Sequence, residues 1–216
     1  MKNLIVLLGL IFLFGEVSKG QEREDFFFHE FQVSLNRTTI DNSNTEERFG
    51  FGLGAYHTFM AEKKISLVFG LEFNRTRQFI KSMYQGHFAN ATDLTYTLNY
   101  ISIPIGIKAN VGSKTKVFVE AGGFADLLIN AHRTGTMHTY LPDENNQMSY
   151  RKTDIDEKVR LSNAIGLYLG IGIRVPVSKF ELVIKPDYKF GINKLYSYQD
   201  DIYNRYFRLN VGVKVK

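Results

Sequence analysis

Apolar and polar residues alternate along most of this chain. In one clear case Ile65, Leu67, Phe69, Leu71 and Phe73 are separated by Ser66, Val68, Gly70 and Glu72, with Asn74 following. Successive side chains of a β-strand point to opposite faces, so this spacing predicts a strand with one strongly apolar face. The same spacing recurs at Phe49–Phe59, Ile101–Ile107, Val117–Ile129, Ile165–Val175, Phe180–Phe190 and Phe207–Val215, with a weaker form from Phe26 to Thr39, which makes eight strands.

The connections alternate as well. Those at Ala61–Lys64, Val111–Lys114 and Val177–Lys179 are short. Those at Ile40–Glu47, Ile80–Asp93, Thr134–Glu157 and Ser197–Asn204 are longer. Short turns at one end and longer loops at the other mark an outer-membrane barrel. The expected fold is therefore all-β, an eight-stranded antiparallel up-and-down transmembrane β-barrel with both termini at the short-turn, periplasmic end.

A soluble lipocalin-like barrel or sandwich is the competing reading, with the apolar face turned inward. Two features favour lipid on the outside. The apolar rows are nearly free of charge over about ten residues, the length of a tilted membrane strand. The opposite rows mix glycine with charge, and glycine weakens a solvated strand but suits a crowded interior.

Two places break the pattern. Tyr96, Leu98 and Tyr100 are out of phase with Ile101 onward, which predicts a bulge near Asn99–Ile101. Pro104 has no N–H for a ladder, so a bulge or weakened pairing is expected there. Tyr and Phe near strand ends, among them Phe26–Phe28, Phe59, Tyr96, Tyr100, Tyr188, Phe190, Tyr196, Tyr198, Tyr203, Tyr206 and Phe207, suit interfacial girdles.

Composition changes this picture at few points. A mean hydropathy of -0.18 resembles a soluble protein, because a barrel spreads its apolar residues over alternate positions. One apolar run does occur, Leu4–Phe14, preceded by Lys2 and followed by the small residues Gly15, Ser18 and Gly20. It is too short to span a bilayer as a helix and reads as a secretory signal peptide, residues 1–20, cleaved between Gly20 and Gln21. Residues 21–216 then form the barrel domain. The chain has no cysteine, which excludes disulfides, thiol catalysis, cysteine metal sites and a lipoprotein anchor. The formal charge of +5 becomes +4 without Lys2, Glu16 and Lys19, and no basic cluster points to nucleic acid.

The polar rows carry the main chemistry. Glu72, Lys108, Glu120, Asp126, Arg174, Glu181, Lys185, Asp187, Lys189, Arg208 and Lys214 are expected to form an interior charge network. Eight strands leave room for side chains and little else, and buried charges must pair, so the network reads as a structural plug; an ion pathway is the alternative. The histidines His29, His57, His87, His132 and His138 form no metal-ligand pattern. A nucleophile and base on neighbouring strands is conceivable, for instance Ser162 near His132 at the outer rim, though no compact Ser–His motif occurs. No catalytic, cofactor-binding or metal residue is assigned. Asp200-Asp201 and Asp154–Glu157 read as solvated loop charge, and three Asn-X-Thr triplets, at Asn36, Asn74 and Asn90, as chance matches.

With Tyr100–Lys108, the glycine-rich Ala164–Gly172 and the closing Tyr206–Lys214 in view, the sequence resembles the PorT-like outer-membrane β-barrel proteins of the Bacteroidota, similar in architecture to small OmpA/OmpX-type barrels. The resemblance spans the mature chain. It implies contact with outer-membrane lipid and the barrel-assembly machinery, no common enzyme activity, and in some members service to a secretion system. Such proteins often end on an aromatic residue, whereas this chain ends Val215-Lys216, so Phe207 or the apolar row is expected to serve assembly. The expected role is structural or interactive, as an accessory of a secretion or envelope complex with a protein partner. A small transport pore is the alternative, and a rim-located lipid hydrolase or protease a third.

Overall fold

A computed structural model describes residues 27–39, 44–61, 63–84, 86–112, 114–142, 145, 147–196 and 202–215. The expected signal peptide and its Gly20–Gln21 bond lie outside the described residues. Ten strands occur: β1 (Glu30–Thr38), β2 (Thr45–Glu46), β3 (Phe49–Phe59), β4 (Ile65–Tyr84), β5 (Ala89–Val111), β6 (Lys116–Pro142), β7 (Met148–Val159), β8 (Ala164–Val177), β9 (Phe180–Tyr196) and β10 (Ile202–Val215). Eight of them close a ring in the order β1-β3-β4-β5-β6-β8-β9-β10, every pair antiparallel and β10 returning to β1. Closure leaves no unpaired edge in the ring, the condition for a sheet to cross hydrocarbon. The two-residue β2 pairs β4, and β7 pairs β6.

The strand faces follow the alternation. In β8, Ile165, Leu167, Leu169, Ile171 and Ile173 are exposed outward, while Ala164, Gly166, Tyr168, Gly170, Gly172 and Arg174 are buried inward. Inward glycines make room for aromatic rings. A Cβ on Gly106 or Gly122 would meet the Tyr168 ring, and one on Gly70 would meet the Tyr56 ring and the Pro104 ring.

At Pro104 the β4–β5 ladder is interrupted. Its pairing stops at Phe69↔Ile105 and resumes at Glu72↔Ser102, with no change of register. That is the weakened pairing a missing N–H produces.

The other departure has a different cause from the one expected. Strand β5 keeps its phase from Leu94 to Lys108: Tyr96, Leu98, Tyr100, Ser102, Pro104, Gly106 and Lys108 are all buried on one face. The apolar residues change sides there and the backbone does not. Tyr96 and Tyr100 point into the barrel instead of forming a girdle, as does Tyr206. The extra residue lies on the neighbouring strand. Asn99 pairs with Asn130 and Tyr100 with Leu128, so Ile129 of β6 is the bulge.

Two expected loops are mostly strand. β4 and β5 run on through much of Ile80–Asp93, and Thr134–Glu157 folds into the β6–β7 hairpin. Strand β7 is exposed along nearly its whole length, so it shows no buried face for an alternating pattern to report.

Candidate functional site

The interior of the ring is polar toward the short-turn end and apolar toward the long-hairpin end. The polar half holds a chain of ion pairs in which each group touches the next. Lys108 Nζ lies 3.7 Å from Glu30 and 3.1 Å from Glu120. Lys185 Nζ donates to Glu120 at 2.9 Å and lies 3.7 Å from Asp187. Arg208 donates to both Asp187 oxygens and, through Nη1, to Glu72 at 2.8 Å. Lys189 Nζ donates to Glu72 at 2.8 Å and to Ser102 at 2.6 Å, and reaches Asp126 at 3.5 Å. Arg174 and Glu181 pair at 3.6 Å nearer the short turns, and Lys214 is buried near them.

Sequence reasoning omitted Glu30 from this set. With it, six carboxylates (Glu30, Glu72, Glu120, Asp126, Glu181, Asp187) meet six cations (Lys108, Arg174, Lys185, Lys189, Arg208, Lys214). The signal was present, since Glu30 stands in phase with Gln32, Ser34 and Asn36 on the polar row of β1. The balance matters because an uncompensated charge in this interior would cost several kcal/mol, roughly.

Neutral groups complete the network. Tyr56 donates to Glu72 at 2.6 Å, Asn204 to Asp126 at 2.7 Å and Asn210 to Asp187 at 3.0 Å. Lys108 lies 4.6 Å over the Phe118 ring and Lys189 4.6 Å over Phe124. The space among Gln32, Tyr56, Glu72, Asn74, Arg208 and Asn210 is too small for a water molecule.

Above this, Ile80, Met83, Ala91, Leu94, Tyr96, Leu98, Tyr100, Ala131, Ala164 and Leu195 form a buried apolar cluster. Charges below and hydrocarbon above fill the ring. Chemically, the arrangement ties strands on opposite sides of the ring together through paired charges.

The outer surface is the reverse. Exposed Leu, Ile, Val and Phe cover it around the ring, and the apolar rows end in polar residues toward the long-hairpin end: Phe73 is followed on its face by Arg75 and Arg77, Ile101 by Asn99, and Leu35 by Arg37. Beyond this line β4, β5, β6 and β7 continue as a sheet. Arg133 on β6 joins it to the interior by donating to Tyr96 at 3.4 Å and to Glu157 on β7. Burial lowers the Arg133 pKa, but its bonds to Tyr96 and Glu157 outweigh that and hold it above the usual value.

His29 and His57 lie together, their ring centroids 4.9 Å apart, while His132 and His138 lie on β6. His57 stacks on Phe27 outside the barrel, His29 accepts from the Thr58 N–H, His138 bonds Tyr150, and His132 bonds Asp156 on β7. Among the described residues no hydrogen bond joins Ser162 to His132; the Ser162 N–H donates to the Leu195 carbonyl. Also among the described residues, no three His, Asp or Glu side chains converge as a metal-binding group. Asn36 and Asn74 are buried inward, and Asn90 lies within β5.

No curated protein matches the sequence. Among solved structures, Neisserial surface protein A is similar at 13% identity, covering 87% of this chain and 94% of that one, with a TM-score of 0.46. Ail, the attachment invasion locus protein of Yersinia pestis, is similar at 13% identity, with 86% and 94% covered and a TM-score of 0.41. A major outer membrane protein from Thermus thermophilus is similar at 12% identity, with 86% and 98% covered and a TM-score of 0.46. The family described as the outer membrane protein beta-barrel domain matches residues 20–197. That span takes in most of the sequence, and the chain belongs to this family as an integral β-barrel protein of the bacterial outer membrane.

Proposed function

We propose that this protein is a closed, non-conducting barrel that displays the β4–β7 sheet at the cell surface to a protein partner, with both termini in the periplasm. The observation that carries the reading is the contrast between a filled interior and strands that outrun the ring. The twelve residues Ala131–Pro142 of β6 pair with β7 along their whole length. At about 3.3 Å per residue that hairpin extends roughly 40 Å. A rigid barrel with projecting elements suits binding, since recognition concentrates on segments held by a stable scaffold. The resemblance to PorT-like proteins supports a partner in a secretion or envelope complex.

A photo-crosslinking residue placed at Tyr150 or Lys152 tests this in native membranes. A discrete adduct from those positions, absent with the crosslinker at Ile171 on the apolar belt, is expected. The same purified barrel in a planar bilayer is expected to show no steady conductance. A stable channel of reproducible size would instead require a pore.

A further inference from the structure

We propose that the outer face of β1, β3 and β4 binds one membrane lipid with a net-anionic phosphate headgroup, its phosphate on Arg75 and Arg77 and an acyl chain in the apolar furrow beside them. The inference rests on membrane insertion and not on which end faces the cell exterior.

Two independent features meet here. The first is a furrow of about 680 Å³ on the lipid-facing surface, walled by Phe31, Val33, Leu53, Leu71, Phe73 and Val213. Its floor is low because Ala55 sits between Phe31 and Leu71, with which it pairs across the sheet. A residue of one methyl group among phenylalanines and leucines leaves a depression in an otherwise bulky apolar surface.

The second feature is charge beside that furrow, next along β4 from Phe73, which lines it. Arg75 and Arg77 follow Phe73 on the outward face of β4, about 7 Å apart per two residues. Their neighbours carry compensation: Arg37 pairs with Glu47, and Arg48 and Lys81 with Glu46. Among the described residues no carboxylate pairs with Arg75 or Arg77. Across the ladder they face the neutral Asn99 and Thr97. Asn99 accepts from Arg75 Nε at 2.7 Å, and the guanidinium lies 5.4 Å over Phe51, so its plane is set while its terminal nitrogens stay available. Planar guanidinium donors in fixed orientation match phosphate oxygens. A lipid is the occupant that supplies both an anion at the belt's edge and hydrocarbon beneath it.

The chain has no tryptophan, so Ile101→Trp, beside Phe73 at the furrow's edge, provides a single fluorophore. The protein is refolded into phosphatidylcholine vesicles, and quenching by dibrominated phosphatidylglycerol is compared with dibrominated phosphatidylcholine. A preference for the anionic lipid is expected, with roughly fivefold lost for each arginine removed in R75Q and R77Q. Ala55→Phe fills the furrow and is expected to weaken the same preference with both arginines intact. Heat-modifiable mobility verifies that each variant is folded. Competition by unlabelled lipid A more effective than by phosphatidylglycerol assigns the phosphate to a glycolipid; the opposite order assigns it to a phospholipid. Equal quenching by both brominated lipids, or a preference that survives R75Q/R77Q, overturns the proposal. So does a furrow that crosslinks to a second copy of the chain.

Discussion

Arg208 holds Asp187 through two parallel hydrogen bonds, Nε to Oδ1 at 2.7 Å and Nη2 to Oδ2 at 2.8 Å, at the centre of the barrel. The remaining Nη1 reaches Glu72 on β4, two strands beyond β1 on the other side. One side chain therefore ties β10 to β9 and, across the interior, to β4. Removing the cation alone, in Arg208→Met, leaves two buried carboxylates short of a partner and is expected to cost about 3–5 kcal/mol. In Arg208→Met/Asp187→Asn the second change removes part of that uncompensated charge. The double variant is expected to be less destabilised than the two single losses added together. Urea titration of the refolded barrel in vesicles measures all of them, and strict additivity would show that the pair is not coupled.

Gly122 and Gly123 are adjacent on β6 but differ sharply in what they face. A Cβ on Gly122 would run into the Ile105 carbonyl oxygen and lie 2.5 Å from the Gly106 Cα, both backbone. A Cβ on Gly123 meets only the Gly166 oxygen, at 3.6 Å. Gly122→Ala is thus expected to destabilise by about 1–3 kcal/mol, as overpacking does. Gly123→Ala should stay within roughly 0.5 kcal/mol of the parent. The shift in urea midpoint distinguishes the two, and equal effects would mean that the glycines act through strand propensity alone.

Much of this was legible because a strand's period is two and the barrel has only two environments. Ile165–Val175 shows its outward row directly, and the charges opposite such rows fall in the interior. Three features were hidden for physical reasons. At Tyr96, Leu98 and Tyr100 the interior itself turns apolar, so the hydrophobic residues change face while the backbone keeps its phase. The bulge at Ile129 comes two residues after the outward Leu127, so the apolar alternation runs straight into it and composition does not record it. β7 is exposed on both faces except at Ile155 and Val159, so Met148–Val159 carries no sustained periodic signal. Glu30 was readable from its row but lay in the weakest of the eight patterns. The Arg75–furrow site needs the cross-strand pairing of Ala55 with Leu71 and Phe31, which no single strand's sequence reveals.

Leu169 lies near the middle of β8 and is 61% exposed. In a water-soluble barrel an exposed leucine could become arginine with little effect. In this one its side chain faces hydrocarbon, so Leu169→Arg is expected to cost about 2–4 kcal/mol in vesicles. Tyr150→Arg, on the projecting hairpin, should be close to neutral by the same titration. Equal tolerance at both positions would remove Leu169 from the lipid-facing belt.

The ring closes without β7, and this separates the anchor from what it displays. β6 pairs with β8 from Lys116 to Asp126 and with β7 only from Ala131 outward. A variant in which Thr136–Asp154 is replaced by Asn-Gly keeps the β6–β8 ladder and the whole ion-pair chain. Asn-Gly suits a two-residue hairpin turn because both residues accept positive φ. Ile155, Val159 and Leu161, which pack against the apolar cluster, also remain. The shortened protein is expected to insert, to retain heat-modifiable mobility and to remain non-conducting, while no longer co-purifying from native membranes with the partner that crosslinkers at Tyr150 and Lys152 trap on the full-length chain. Loss of the folded band on shortening would place the hairpin within the barrel's own folding unit; retention of the partner without the hairpin would move the binding surface to β4 and β5.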